Sequence, residues 1–82
     1  MNYYLYRLNK DGEGEIYGKF ISLQMAKLSA ELLLIRESCF ILQGDLSRLY
    51  FYNENGTWDY DLLTSLGKTE FFKVYPNPIN YK

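Results

Sequence analysis

Residues 2–20, NYYLYRLNKDGEGEIYGKF, place two runs of aromatic and β-branched residues on either side of a glycine-rich, acidic segment. The runs at 3–8 and 15–21 have the composition of strands, and the segment between them is rich in turn-forming residues. The chain is therefore predicted to begin with a β-hairpin. Because successive side chains of a strand point to opposite faces, its tyrosines should divide between a buried face and a face available for contact.

From Ser22 onward the apolar residues change to helical spacing. Residues 22–38, SLQMAKLSAELLLIRES, have apolar side chains three and four positions apart, with Ser22 as the predicted N-cap. Four consecutive apolar residues at 32–35 make this helix apolar nearly all round near its end. Such an end is either buried deeply or left as an apolar rim for another subunit, and we expect deep burial.

The rest of the chain is predicted to form strands. Their approximate ranges are 39–43, 48–53, 57–63 and 69–75. The pair Asn55 and Gly56 favours a tight hairpin, and Pro76 and Pro78 should end the last strand. A short helix at 59–66 is the alternative for the third of these strands.

The predicted fold is a single small α+β domain that spans residues 1–82. It has a mostly antiparallel sheet with one main α-helix packed on one face, in the order β-β-α-β-β-β-β. One helix covers one face of such a sheet, so the other face should be open or covered by a partner.

The alternation of the strands assigns residues to these two faces. The predicted helix-facing set is Tyr4, Tyr6, Leu8, Ile16, Phe20, Leu49, Phe51, Phe72 and Val74. The predicted opposite face carries Tyr3, Leu5, Arg7, Tyr17, Lys19, Ile21, Arg48, Tyr50, Tyr52, Phe71, Lys73 and Tyr75. Phe20, Leu28, Leu32, Phe51 and Phe72 are expected to share one core.

The opposite face is aromatic and basic, which makes it the candidate binding surface. Tyrosine and arginine are enriched among the residues that dominate protein interfaces. The predicted contact residues are Tyr3, Arg7, Tyr17, Lys19, Tyr50, Tyr52, Lys73 and Tyr75. The predicted acidic rim consists of Asp11, Glu13, Glu15, Asp59 and Asp61.

The sequence predicts no catalytic site, metal or cofactor. It contains no histidine, so the usual Ser/His and Cys/His arrangements cannot form. Cys39 lies in an apolar run and is expected to be a buried small hydrophobe. The segment SLGKT at 65–69 ends like a phosphate-binding loop but has Leu62 where that motif requires glycine.

Composition narrows the class of partner. With nine basic and ten acidic residues the net charge is −1, which argues against general electrostatic attraction to nucleic acid or an anionic membrane. No apolar run approaches the ~18 residues of a membrane span, and the N-terminus has no signal-like apolar segment. We therefore expect a cytoplasmic protein.

The predicted function is that of a non-enzymatic, tyrosine-rich binding protein that acts through contact with a protein partner or by self-association. The protein is similar in type to small inhibitor or accessory proteins of phages and mobile elements. The alternative is a module that binds single-stranded nucleic acid through the same Tyr/Arg/Lys face.

Overall fold

The computed structural model describes residues 1–80, which fold into a five-stranded sheet, two α-helices and two short 3-10 turns. The strands are β1 (Tyr3–Leu8), β2 (Gly14–Phe20), β3 (Cys39–Gln43), β4 (Arg48–Tyr52) and β5 (Trp58–Leu62). The α-helices are α1 (Leu23–Leu32) and α2 (Ser65–Val74), and the 3-10 turns are Arg36–Ser38 and Pro78–Asn80. The predicted class, a small α+β domain with an antiparallel sheet, is confirmed.

The strand order is β2-β1-β3-β4-β5, and all neighbouring pairs are antiparallel. Because β2 and β3 both pair with β1, they run parallel to each other, and α1 connects them by crossing over β1. In a connection of this kind the handedness of the crossover determines on which face the helix lies. β2 and β5 are the two edge strands.

The termini of α1 have defined caps. At the start, the Ser22 hydroxyl accepts a hydrogen bond of 3.2 Å from the Met25 N–H. At the end, the Leu34 and Ile35 N–H groups donate to the Glu31 and Ala30 carbonyls, with Leu34 in the left-handed region at a φ of 58°. These two bonds form a Schellman motif, which ends the helix before the predicted limit at residue 38.

Each face of the sheet is covered by a helix and has its own buried cluster. The cluster under α1 contains Leu5, Ala26, Ala30, Ile35, Cys39, Ile41 and Tyr50. The cluster under α2 contains Tyr6, Phe40, Leu42 and Phe71. A thin core on each side of one sheet therefore stabilises the domain.

The predicted position of the main helix is wrong, because α1 packs on the other face, over Leu5 and Tyr50. Most of the predicted helix-facing residues do share a face of the sheet, but α2 covers it: Tyr4, Tyr6, Leu8, Ile16, Leu49 and Phe51. Phe72 packs against the same cluster from α2 itself. The predicted single core is therefore two cores. Leu28 and Leu32 belong to neither of them, since both are exposed.

A β-bulge in the first hairpin explains the error at Phe20. Leu5 pairs with Gly18 while Tyr6 pairs with Ile16, which leaves Tyr17 as the extra residue. A bulge shifts the alternation of side chains by one position. Ile16 therefore packs with the α2 cluster, whereas Phe20 packs with the α1 cluster.

The prediction of a last strand at 69–75 is also wrong, because this segment lies mostly within α2. The Thr64 hydroxyl caps the helix by accepting a hydrogen bond of 3.0 Å from the Gly67 N–H. Phe71 and Tyr75, four residues apart, then place their rings against the sheet with centroids 4.8 Å apart. The alternative of a helix at 59–66 is wrong as well, since Trp58–Leu62 is strand β5.

That residues 1–82 make one domain stays a prediction, and residues 81 and 82 lie outside the described part of the chain. Neither α-helix found in residues 1–80 has the length and apolar character that crossing a lipid bilayer requires.

Candidate functional site

The predicted contact residues do not form one surface. Tyr50 is only 8% exposed, because α1 covers it. Lys73 and Tyr75 belong to the α2 side, and Lys19 pairs with Tyr4, whose side chain also faces α2. The sheet therefore offers no open aromatic face at Tyr50 on which nucleic-acid bases could stack.

Arg7 and Tyr17 remain together on the α1 side of the sheet. Arg7 shares the orientation of Leu5, and its guanidinium carbon lies 5.9 Å from the centroid of the Tyr17 ring. Both side chains are exposed near the edge formed by β2. This pair is the part of the predicted contact surface that is available to a partner.

Tyr3 and Tyr52 have structural contacts. The Tyr3 ring meets Tyr50 edge-on at 6.5 Å and packs against the α1 cluster. The Tyr52 hydroxyl donates to the Gly56 carbonyl at 2.9 Å, and its ring meets Trp58 edge-on at 5.4 Å. These contacts hold the sheet and the β4–β5 hairpin together.

The predicted acidic rim is divided between two distant places. Asp11 and Glu13 are exposed in the turn between β1 and β2 and Glu15 at the start of β2, whereas Asp59 and Asp61 are exposed on β5. Since β2 and β5 are opposite edges of the sheet, the five residues do not surround one surface. Carboxylates on β5 instead oppose pairing of this edge with another strand.

The outward side of α1 is the most unusual feature of the molecule. Two alanines, Ala26 and Ala30, face the sheet and are fully buried, while Met25, Leu28 and Leu32 are 50%, 49% and 75% exposed. A surface helix normally turns its large apolar side chains toward the core. Here the small residues allow α1 to lie close to the sheet. Of the four large apolar residues of α1, Leu23 packs against the core and the other three are largely exposed.

The polar residues of α1 fix this rotation of the helix. The Trp58 indole N–H donates to a Glu31 carboxylate oxygen at 3.1 Å, and the Lys27 ammonium lies 5.9 Å from the centroid of the Tyr50 ring. Both contacts direct the polar side of the helix toward β4 and β5. The apolar side consequently faces away from them, toward β2.

A groove of about 330 Å³ runs along this apolar side. Its lining residues are Phe20, Met25, Leu28, Ser29, Leu32 and Leu33, which we call the α1 apolar surface. Phe20 comes from β2 and the others from α1 and its C-cap. Leu33 is 45% exposed. The expectation of deep burial at 32–35 holds for Ile35 and is wrong for the three leucines before it.

A larger cleft of about 520 Å³ lies between the Arg36–Ser38 turn and the β4–β5 hairpin. It is lined by Arg36, Glu37, Tyr52, Asn53, Glu54 and Gly56. Its charges are mixed, and its phenol is already engaged with the Gly56 carbonyl. Among the described residues that line the cleft, that phenol is the only hydroxyl and none is a thiol.

Cys39 is buried under α1, as predicted. Burial raises the pKa of its thiol to about 11, and its Sγ donates a weak hydrogen bond to the Arg36 carbonyl at 3.6 Å. A shielded thiol that stays protonated near neutral pH is a poor nucleophile.

We expect alkaline pH to weaken the fold through Cys39. The thiol ionises in the unfolded chain at a pKa of about 8.5, so stability is fully present below that pH and is lost as pH rises toward 11. The loss should reach about 2 kcal/mol at pH 10. Urea unfolding at pH 7 and pH 10 measures it, and a Cys39→Ala variant should show a smaller loss; an equal loss in both chains would exclude the thiol as the cause.

Comparison of the chain with protein-family models, with curated proteins and with solved structures gave no match.

Proposed function

We propose that the protein is a non-enzymatic binding module that docks onto a protein through the α1 apolar surface. The observation that carries this proposal is the orientation of α1, which buries Ala26 and Ala30 and exposes Met25, Leu28 and Leu32. Burying a leucine or methionine side chain stabilises a fold by about 1.5–3 kcal/mol. A chain that leaves three of them outside gains that stabilisation only when another surface covers them.

The size of the exposed surface supports the same function. The four large side chains of the groove that come from α1 and its C-cap are each 45–75% exposed and contiguous along the helix. Contiguous apolar patches larger than a few hundred Å² on a small domain mark interaction sites. Single exposed apolar residues such as Leu62 or Leu66 need no such explanation.

Leu34 follows the C-cap of α1 and lines a small separate cleft with Arg36 and Glu37, next to the end of the α1 apolar surface in the sequence. It is 86% exposed in a left-handed conformation that costs a residue with a side chain about 1–2 kcal/mol. Leu46 has a similar φ of 63°, but it packs against the α2 cluster. A leucine that is both strained and exposed at this position supports a role in recognition.

Replacing Leu34 by glycine should stabilise the isolated chain by about 1 kcal/mol, because glycine adopts the left-handed conformation without strain. The same change should weaken partner binding. Urea unfolding in dilute solution measures the first effect, and a destabilised Leu34→Gly chain would show that Leu34 contributes to the fold itself.

The surroundings of the groove resemble the anatomy of a protein interface. The Phe20 ring lies over Gly18, so that an added Cβ there would approach the ring to 3.0 Å. Gly18 is next to Tyr17, which pairs with Arg7 at the edge of the sheet. An apolar centre flanked by a tyrosine and an arginine matches the residues that dominate binding energy.

The other predictions from the sequence stay predictions: an inhibitor or accessory role of phage type, and a cytoplasmic location. The nucleic-acid alternative also stays a prediction, and α1 covers Tyr50, one of the residues on which that alternative relied.

Affinity capture from an extract of the source cells tests the proposal. The immobilised chain should retain one or more proteins that a Leu32→Asp variant loses. Leu66→Asp is the matched control, because Leu66 is an equally exposed helical leucine, 72% against 75%, on α2.

A Leu32→Asp chain should stay folded, since Leu32 is 75% exposed and belongs to neither buried cluster. Circular dichroism checks this point. If the folded Leu32→Asp chain retained the same proteins and the same self-association as the native chain, the α1 apolar surface would not be the binding site.

A further inference from the structure

We infer that the partner of the α1 apolar surface is a second copy of this chain, which forms a two-fold dimer by antiparallel contact of the two α1 helices. This inference rests on the proposed function, because it names the occupant of the same surface.

The spacing of the groove residues fits a helix as occupant. Met25, Leu28, Ser29 and Leu32 lie at positions i, i+3, i+4 and i+7, which is the set of four residues that forms a hole for a side chain of a facing helix. Ser29 is the small member of the set and leaves space at its centre. The groove of about 330 Å³ over these residues shows that the hole is open.

The same helix supplies the side chains that would fill such a hole. Met25, Leu28 and Leu32 follow the three- and four-residue alternation of interlocking helices. A two-fold interface requires one surface to carry both the holes and the side chains that enter them. The α1 apolar surface meets this requirement.

The area also suits a dimer of this chain. The exposed apolar residues of α1 and of the positions that flank it are Ile21 (76%), Met25 (50%), Leu28 (49%), Leu32 (75%), Leu33 (45%) and Leu34 (86%). With about 200 Å² for a fully exposed aliphatic residue, the four groove residues among them present roughly 440 Å². Ile21 and Leu34 raise the total to roughly 750 Å², close to the about 800 Å² that each partner buries in a standard stable interface.

Electrostatics do not oppose the association of two copies. The chain has a net charge of −1, so two copies repel each other weakly. Within residues 1–80, no charged residue lines the groove, because Lys27 and Glu31 are directed toward Tyr50 and Trp58. No like charges therefore meet at the centre of the contact.

The antiparallel arrangement predicts which residues meet. The two-fold axis passes near Leu28 and Ser29, the middle of the four-residue set. Leu28 then lies beside Leu28 of the second copy, and Met25 lies beside Leu32 of the second copy.

Sedimentation velocity of the native chain across a dilution series tests the dimer. We expect a species of twice the chain mass of 9.7 kDa, with a dissociation constant of about 1–10 μM. Leu32→Asp should weaken the dimer at least tenfold, and Leu66→Asp should leave it unchanged. A native chain that sediments as a monomer up to about 100 times that range overturns the inference.

A pair of complementary charges tests the arrangement. Met25→Lys and Leu32→Glu should each be monomeric alone, because each homodimer buries two unpaired charges. An equal mixture of the two variants should form a mixed dimer. In it, the lysine introduced in one chain meets the glutamate introduced in the other, and the unchanged Leu32 of the first chain meets the unchanged Met25 of the second. A mixture that stays monomeric while the native chain is dimeric would overturn the antiparallel arrangement.

Failure of the dimer and failure of the proposed function give different results. A monomeric native chain whose captured protein is lost in Leu32→Asp overturns the dimer and leaves the proposed function standing. A monomeric native chain whose captured proteins are unchanged in Leu32→Asp overturns both.

Discussion

Replacing Tyr6 by alanine is expected to lower the free energy of unfolding by about 4 kcal/mol, within the range for removing a buried aromatic ring. Tyr6 is fully buried at the centre of the α2 side of the sheet. Its ring stacks on Phe40 with centroids 4.9 Å apart and meets Phe71 edge-on at 5.7 Å. The change would therefore remove both the packing of these rings and the burial of one of the largest side chains in the core.

The Tyr6 hydroxyl connects this core to the C-terminal segment. It donates a hydrogen bond of 2.6 Å to the Pro76 carbonyl, and burial raises the pKa of this phenol, with a smaller contribution from Tyr4. A Tyr6→Phe variant keeps the ring and loses this bond, at a cost of about 1 kcal/mol. It is the matched control for the alanine variant.

Urea unfolding of the native chain and the two variants measures these effects. The alanine variant should lose several times as much stability as the phenylalanine variant. Similar small losses in both variants would show that α2 does not pack on Tyr6, and the assignment of the two faces would then be wrong.

Replacing Ile41 by alanine should cost about 3 kcal/mol on the α1 side of the sheet. Ile41 is fully buried in β3, belongs to the cluster with Ala26 and Ala30, and pairs with Leu5 of β1 and Tyr50 of β4. Neighbouring strands on both sides prevent the site from collapsing around the missing methyl groups.

Leu32→Ala is the control for Ile41→Ala. It tests whether Leu32 is exposed, as in the structure, or faces the sheet. Because Leu32 is exposed, its replacement should change the stability of the dilute chain by less than about 0.5 kcal/mol. Thermal or urea unfolding of both variants in the same buffer makes the comparison. If Leu32→Ala were the more damaging change, α1 would be rotated about its axis relative to the structure.

Much of the fold follows from local pattern in the sequence. Composition and turn residues are sufficient to predict the first hairpin, and the helical spacing after Ser22 is sufficient to predict α1. The alternation of side chains correctly places Tyr4, Tyr6 and Leu8 on one face. This alternation depends only on neighbouring residues of the same strand.

The predictions that proved wrong concern features that depend on contacts between residues far apart in the sequence. Pattern alone does not reveal the bulge at Tyr17, which moves Phe20 to the other face. The segment 69–75 has the aromatic composition of a strand, yet packing of Phe71 against the sheet overrides that propensity. The face of α1 depends on the strand order and the handedness of the crossover, which the sequence does not display.

The candidate site was missed for a related reason. Exposed and buried stripes of a helix have the same spacing, so Met25, Leu28 and Leu32 are typical of core residues in the sequence. What reveals them is the contrast with Ala26 and Ala30 on the opposite stripe, together with the contacts of Lys27 and Glu31 to the sheet. The sequence signal that could have identified this surface is a helix with its alanines on one stripe and most of its large apolar residues on another.

The most direct test of the docking surface is a concentration series of methyl NMR spectra of the native chain. We predict that the methyl signals of Met25, Leu28, Leu32 and Leu33 shift as the chain is concentrated, while those of the exposed Leu62 and Leu66 stay in place. Signals that do not move at any concentration, or that move at Leu62 and Leu66 instead, would contradict the assignment of the α1 apolar surface as the place where two chains meet.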